Sequence, residues 1–356
     1  MHIGLYTECL TNPPTGVESM ALTLIEELKK TPHTITCFHT NHHQHPQIQG
    51  VNNFLFRKPL PLPFYHRFAA LFHTKCFDSV DVLHIQHPQL PYFKKPLPPV
   101  IMTVHDVLPL LLPHFFPAKM TRYYRHVLPL YLKKVDAIHA ISDTTKTDIM
   151  RHYNIPSEKI NVIYPSLSYQ NTITHSEKKD IILYVGTLEP RKNVATLIKA
   201  FAILKKRGLP HTLVIVGKKS WSSRALFDLI RQLHLSDHVA YKGFISDKEK
   251  NDLYQEAAIF VYPSYNEGFG LPVIEAMAHG TPVIASDTPI FREVVGDAGV
   301  LVDPHDPQAL AHAISTILRD SQSKKLSKLG QKRAHVFSRE SLLKNTLALY
   351  EELIAR

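Results

Sequence analysis

Short, nearly continuous apolar runs alternate along this chain with longer stretches whose apolar residues recur every three or four positions. The runs at residues 3–7, 34–39, 82–86, 100–104, 137–141 and 161–164 predict six strands in the first half. Those at 181–185, 212–216, 239–242, 258–262, 282–285 and 299–302 predict six more in the second. Between them, segments such as 194–207 and 225–235 carry apolar residues at helical spacing. Strands that are apolar on both faces and alternate with helices predict parallel sheets covered on both sides. Two such series predict an α/β protein of two doubly wound domains. The polar stretch 166–180 has the composition of a linker and lies near the middle. The boundary is set there, with domains over 1–170 and 171–337 and a last helix over about 338–354.

The strand predicted at 258–262 leads into Pro-Ser-Tyr-Asn-Glu-Gly-Phe-Gly-Leu-Pro-Val-Ile-Glu-Ala, residues 263–276. Gly268 and Gly270 lie in the loop, and Pro272 stands where a helix's first turn starts. A strand, a glycine loop and a helix N-terminus make a phosphate site, because first-turn N–H groups and the helix dipole face the anion. Glu267 lies in the loop and Glu275 about one turn into the helix, with seven residues between them. Carboxylates beside a phosphate site suit a ligand that also carries hydroxyls, which donate to them. Phosphate plus polyol is a nucleotide-sugar. The blander alternative is a buried glutamate pair inside an ordinary strand–helix unit.

Three further places carry candidate chemistry. Strand 181–185 runs into Gly-Thr-Leu-Glu-Pro-Arg-Lys-Asn, which puts Arg191 and Lys192 just before a helix, positioned to neutralise a diphosphate. An Arg-Lys pair in a loop is ordinarily solvent-facing, and Lys192 is read here as an exposed loop lysine. His105 and Asp106 leave the carboxyl end of strand 100–104, where ligands of α/β sheets bind. His can bond a sugar hydroxyl and Asp can accept from an acceptor hydroxyl; the alternative for Asp106 is that it satisfies loop N–H groups. The first strand lacks the Gly-x-Gly-x-x-Gly fingerprint, which argues against a nicotinamide enzyme. Its loop has one glycine, Gly16, before a helix starting near Val17, another small-residue approach to a phosphate.

The segment around Glu267 and Glu275 resembles the Glu-x7-Glu motif of retaining glycosyltransferases with the GT-B fold, especially glycosyltransferase family 4. That resemblance implies two Rossmann-like domains facing across a cleft, with residues 338–356 a terminal helix crossing back to the first domain. It implies a retaining transfer of a hexose from a nucleoside diphosphate sugar, with mannose from GDP-mannose the first choice, to a glycan or lipid-linked glycan. The second domain would bind the donor and the first the acceptor. Glu267 would contact donor hydroxyls near the anomeric centre, and Glu275 the ribose. Gly268, Phe269, Gly270 and Leu271 would line the donor site, with Gly243 and Phe244 at the base. Gly16 and the His105–Asp106 pair match family positions in the first domain. The family's arginine after the strand-end glycine is replaced here by Thr187; Lys192 matches the family's lysine, and Arg191 stands beside it to supply the missing charge. No cofactor and no metal are implied, and the chain has no Asp-x-Asp. The other classes kept open are an epimerase or phosphorylase of the same fold, and a non-catalytic nucleotide-sugar-binding subunit.

Length and charge refine this picture. At 356 residues with 44% hydrophobic residues the chain suits two globular domains. Between Val51 and Val135 eleven Lys and Arg face three Asp, a large part of the overall +10. The same segment holds the apolar runs 60–65 and 108–116, so an anionic membrane surface or lipid-phosphate acceptor is expected, with an ordinary solvated basic face as the alternative. No nucleic-acid-binding motif accompanies the charge, so a nucleic-acid partner is not expected. The three cysteines, Cys9, Cys37 and Cys76, have no redox or metal spacing. His42, His43 and His45 read as a solvated loop. The chain starts without a secretory pattern and has no apolar stretch of bilayer length. The expectation is a cytoplasmic protein, peripheral at most at the membrane face.

Overall fold

The computed structural model describes residues 1–7, 16–39, 48–55, 77–88, 98–167, 177–220, 223–319 and 322–356. The chain divides into two compact units, Met1–Ser168 together with Ser338–Arg356, and Tyr169–Phe337. In the first, strands β1 (His2–Tyr6), β2 (Thr34–His39), β3 (Asn52–Leu55), β4 (Val82–Ile85), β5 (Val100–Val104), β6 (Ala137–Ala140) and β7 (Ile160–Val162) form one parallel sheet. Its order is β3-β2-β1-β4-β5-β6-β7. In the second, β8 (Lys179–Val185), β9 (Thr212–Val216), β10 (Val239–Gly243), β11 (Ala257–Tyr262), β12 (Val283–Ser286) and β13 (Val300–Val302) form another, in the order β10-β9-β8-β11-β12-β13. Each order reverses beside its own first strand, between β1 and β4 and between β8 and β11. Such a reversal opens a crevice at the strands' carboxyl ends, because the flanking connections leave in opposite directions.

The observed elements depart from the predicted ones in two places. Strand β3 was not among the predicted runs; its sequence, Asn-Asn-Phe-Leu, has no β-branched residue. It forms at the sheet edge because Phe54 packs on Phe38, ring centroids 5.7 Å apart, and because the Asn53 amide donates to the Ile48 and Val51 carbonyls. The helix expected over 225–235 is Ser223–Gln232, ended by His234 in the left-handed region at φ 55°.

The first sheet is apolar on both faces. One face carries Tyr6, Phe38, Leu83, Met102 and Ile138. The other carries Ile3, Leu5, Val82 and Ile101, covered by Leu24 and Leu28 of helix Gly16–Leu28 and by Leu342, Leu349, Tyr350 and Leu353 of helix Arg339–Ala355. That terminal helix starts at Ser338, whose hydroxyl accepts from the Ser341 N–H.

A buried polar chain fastens it to the sheet. The Ile163 carbonyl can only accept, so His139 Nε2 carries the proton it donates across 2.8 Å. His139 Nδ1 is then an acceptor for the Thr103 hydroxyl at 3.1 Å. Thr103 Oγ1 in turn accepts from His84 Nε2 at 2.8 Å, which leaves His84 Nδ1 to accept from the Tyr350 hydroxyl at 2.6 Å. Every donor faces an acceptor, and one carbonyl sets the direction of the whole chain.

Candidate active site

The second unit's switch point gathers the charged groups. Strand β8 ends at Val185 and continues through Gly186 and Thr187 into a 3-10 turn, Pro190–Lys192. Strand β11 ends at Tyr262 and continues through Ser264 to Glu267 and helix Leu271–Ala278. Gly217, after β9, has φ 142°, and a Cβ there would fall 1.9 Å from the Gly186 carbonyl oxygen, so only glycine lets the two strand-end loops pass. Gly270 caps the helix start at φ 98°, and a Cβ there would lie 2.7 Å from the Phe291 ring.

Glu267 is the centre of this arrangement. Its Oε1 accepts from Lys192 Nζ at 2.7 Å and from the Ser264 hydroxyl at 2.7 Å; its Oε2 accepts from Arg191 NH1 at 2.8 Å. Lys192 Nζ also donates to the Tyr262 hydroxyl at 2.8 Å, and Arg191 NH1 to the Asn266 carbonyl at 3.1 Å. The Arg191 and Lys192 side chains are 14% and 12% exposed, which corrects the reading of Lys192 as an exposed loop residue. The carboxylate they share draws them inward, since a buried charge needs a partner. Burial by itself raises the Glu267 carboxyl, but the Arg191 and Lys192 charges and the hydrogen bonds from Lys192 and Ser264 outweigh it and hold the group at about 2. Burial lowers Lys192, against the pull of Glu267. Burial would also lower Arg191, but the Glu267 charge prevails and raises it. Asn193, left-handed at φ 55°, ties the cation loop in place through its amide, which donates to the Pro263 and Pro304 carbonyls at 3.0 and 2.7 Å.

Glu275 belongs to a separate cluster. Lys250 Nζ donates to its Oε1 at 3.2 Å and the Tyr254 hydroxyl to its Oε2 at 2.8 Å, both from helix Asp247–Glu256. Glu267 and Glu275 therefore share no bonded partner; each carboxylate is oriented by its own element. Gly268 is half-buried and Leu271 opens the helix. The Phe269 ring is 3% exposed and packs edge-on against Phe337 at 5.2 Å, so it is core and only its backbone can serve a ligand. Gly243 ends β10 at φ 68°, its carbonyl taking the Gly217 N–H at 2.8 Å. Phe244 beside it is 60% exposed, with the Lys218 ammonium 5.0 Å from its ring centroid.

In the first unit, His105 Nε2 donates to the Gln86 carbonyl at 2.8 Å, leaving Nδ1 as an acceptor without a protein partner. Burial lowers its basicity, against the opposing hydrogen bond to Gln86. His105 and Gln86 line a cavity of about 20 Å³, room for one water molecule. Asp106 Oδ1 accepts the Leu108 N–H at 2.9 Å, the loop-satisfying role. Gly16 opens helix Gly16–Leu28. The loop 11–15, His42, His43 and His45, the run 60–65, Arg57, Lys58, Arg67, Lys75, Lys94 and Lys95, and Cys9 and Cys76 lie outside the described residues; Cys37 is buried. Among the described residues no three His, Cys, Asp or Glu side chains converge as a metal site.

Ser264, Tyr262, Asn193, Lys250 and Tyr254 were not anticipated. Lys250 and Tyr254 sit one helical turn apart, a spacing visible in the chain, but nothing in it names the carboxylate that they meet.

Residues 168–335 match the family of glycosyl transferases group 1, and residues 14–168 match glycosyltransferase family 4. The chain is 29% identical over 387 aligned positions to O-antigen chain mannosyltransferase B of Escherichia coli, covering 99% of this chain and all of that protein. It is 34% identical to O-antigen chain mannosyltransferase RfbU of Salmonella typhimurium over 73% of this chain and 71% of that protein. The Anabaena HepE structure in complex with UDP and glucose superposes with a TM-score of 0.76 at 18% identity, over 99% of this chain and all of that one. Two doubly wound units of this topology make the GT-B fold, and the family matches make the class glycosyltransferase. Within that class, the chain belongs to glycosyltransferase family 4.

Proposed function

We propose that this protein is a retaining hexosyltransferase that moves mannose from GDP-mannose to a glycan or lipid-linked glycan. The observation that carries the reading is the buried Arg191–Glu267–Lys192 cluster beside the N-terminus of helix Leu271–Ala278. In this reading Lys192, with Arg191 in place of the cation missing at Thr187, stabilises charge building on the departing diphosphate. The helix N-terminus adds to that field without a metal. A carboxylate offers about four acceptor positions. Three of those on Glu267 are used within the protein, which leaves one on Oε2 for a donor hydroxyl. Glu275, held by Lys250 and Tyr254, keeps acceptor capacity for the ribose. A carboxyl held near 2 is a poor base, so Glu267 is not the group that takes the acceptor's proton; in the proposed retaining reaction the leaving phosphate takes it. In the first unit, His105 keeps Nδ1 as an acceptor for a hydroxyl, while Asp106 Oδ1 is engaged by its own loop. Mannose is supported by the names of the two O-antigen relatives, and a nucleoside diphosphate by the complex of the Anabaena protein.

Thermal-shift titration with a panel of nucleotide-sugars tests the donor, because a ligand of the native state raises stability by mass action. GDP-mannose is expected to give the largest shift. Proton NMR of the product then tests the stereochemistry. An inverted anomeric configuration overturns the retaining reading, and sugar conversion without acceptor favours an epimerase.

A further inference from the structure

The Glu267 carboxylate is more deeply committed to cations than a sugar-binding residue needs to be. It touches both positive groups of the site, takes a third hydrogen bond from Ser264, and is 8% exposed. Arg191 has a second, looser counter-charge in Glu189, 3.5 Å from NH2, whose side chain is 42% exposed. Glu189 is itself steadied by the Thr187 hydroxyl, which donates to its Oε1 at 3.0 Å. Thr187, which stands where the family's arginine would be, thus serves the counter-charge and adds no cation of its own.

Resting on the nucleotide-sugar reading above, we infer that Glu267 governs release of the nucleoside diphosphate. A diphosphate left behind by transfer carries more negative charge than the intact donor. Two buried cations without a counter-ion would hold it tightly, since charges out of water are little screened. Glu267 competes with the diphosphate for those cations. When the product leaves, the carboxylate is already within hydrogen-bonding distance of Lys192 and Arg191 and neutralises them again. The intact donor keeps its place through the hydroxyl contact on Oε2, which the released diphosphate lacks. The same carboxylate therefore favours donor over product.

The inference predicts an affinity change opposite to that of an ordinary ligand contact. Glu267→Gln is expected to bind GDP and UDP about tenfold more tightly than wild type, because two cations lose their buried counter-charge. Its multiple-turnover rate is expected to fall below its single-turnover rate, with product release limiting. Glu189→Gln, at an exposed side chain that does not endanger folding, is expected to tighten the same nucleotides by about threefold, as a screened surface charge would. The experiment is calorimetric titration of GDP and UDP into wild type and both variants, with circular dichroism to establish that each is folded. Unchanged or weaker binding by folded Glu267→Gln overturns the inference and leaves the donor assignment standing. If Glu267→Gln does not fold, Glu189→Gln decides, and unchanged or weaker binding overturns the inference. Wild-type protein that binds neither nucleotide overturns the nucleotide-sugar reading, and this inference with it.

Discussion

Glu275 keeps a buried charge on partners borrowed from another helix, and that sets what its loss costs. In Glu275→Gln, Lys250 keeps Asp247 at 3.2 Å but loses its second carboxylate. Because Lys250 retains a partner, the fold is expected to survive, while nucleotide binding weakens. Losing a hydrogen bond to a charged group costs roughly 1.5–3 kcal/mol, about tenfold to a hundredfold in affinity. Calorimetry with GDP checks this, and an unchanged dissociation constant assigns Glu275 to the scaffold. Lys192→Ala behaves differently. It removes a cation that also supports Glu267 and Tyr262, so turnover is expected to fall by about a hundredfold or more. The melting temperature falls too, since Glu267 is left with Arg191 as its one ionic partner in the site. Full activity in Lys192→Ala would exclude it from the reaction.

At the scale of elements, the terminal helix and the first sheet are joined by a hydrogen-bond chain that admits one proton arrangement. Burial holds both imidazoles neutral, His84 well below its ordinary range and His139 at about 4. For His139 the folded value lies below the ordinary 6.5, so the unfolded chain binds the extra proton first. Stability from this group is complete above 6.5 and is lost as pH falls toward 4, an effect of roughly 3 kcal/mol. Denaturant midpoints at pH 7.5 and 5 are expected to differ in that direction. Tyr350→Phe removes the donor to His84 Nδ1 and leaves a buried acceptor unpaired, at roughly 1–3 kcal/mol. The urea midpoint is expected to drop without a change in slope. An unaltered midpoint would mean that packing alone docks the helix.

Over the whole molecule, the charge of +10 is unevenly spread. Among the described residues, helices Ala118–His126 and Leu128–Lys134 expose Lys119, Arg122, Arg125, Lys133 and Lys134 beside Met120 and Leu130, which are 41% and 58% exposed. Leu108, counted among the apolar residues of a membrane-facing run, is core at 2% exposure. No helix of the described residues is long and apolar enough to cross a membrane. Each cation near an anionic surface contributes about 1 kcal/mol. Flotation with anionic vesicles is therefore expected to recover the protein reversibly, and high salt to abolish recovery. Reversing Arg122 and Arg125 to Glu should do the same at low salt. Equal recovery on neutral vesicles, or none on either, points to a soluble glycan acceptor.

The hydrophobic pattern determined twelve of the thirteen strands among the described residues and their parallel, doubly wound class, because a strand buried on both faces is apolar at every position. The edge strand β3 escaped it, since half of such a strand faces water and four residues hold too few apolar positions to register. The chain also marked Glu267, Glu275, Arg191 and Lys192, because glycine loops and helix starts carry local chemistry. What it left open was who meets whom. That Arg191 and Lys192 turn inward onto Glu267, that Glu275 answers to Lys250 and Tyr254, and that Phe269 is core depended on packing between segments from about 20 to 75 residues apart. The polarised Tyr350–His84–Thr103–His139 chain is the extreme case, its first two members lying 266 positions apart. Periodicity reports which face of an element is buried. Only the folded sheet order, which brings β8 beside β11 and the terminal helix over β4, decides which charge or hydroxyl lies opposite.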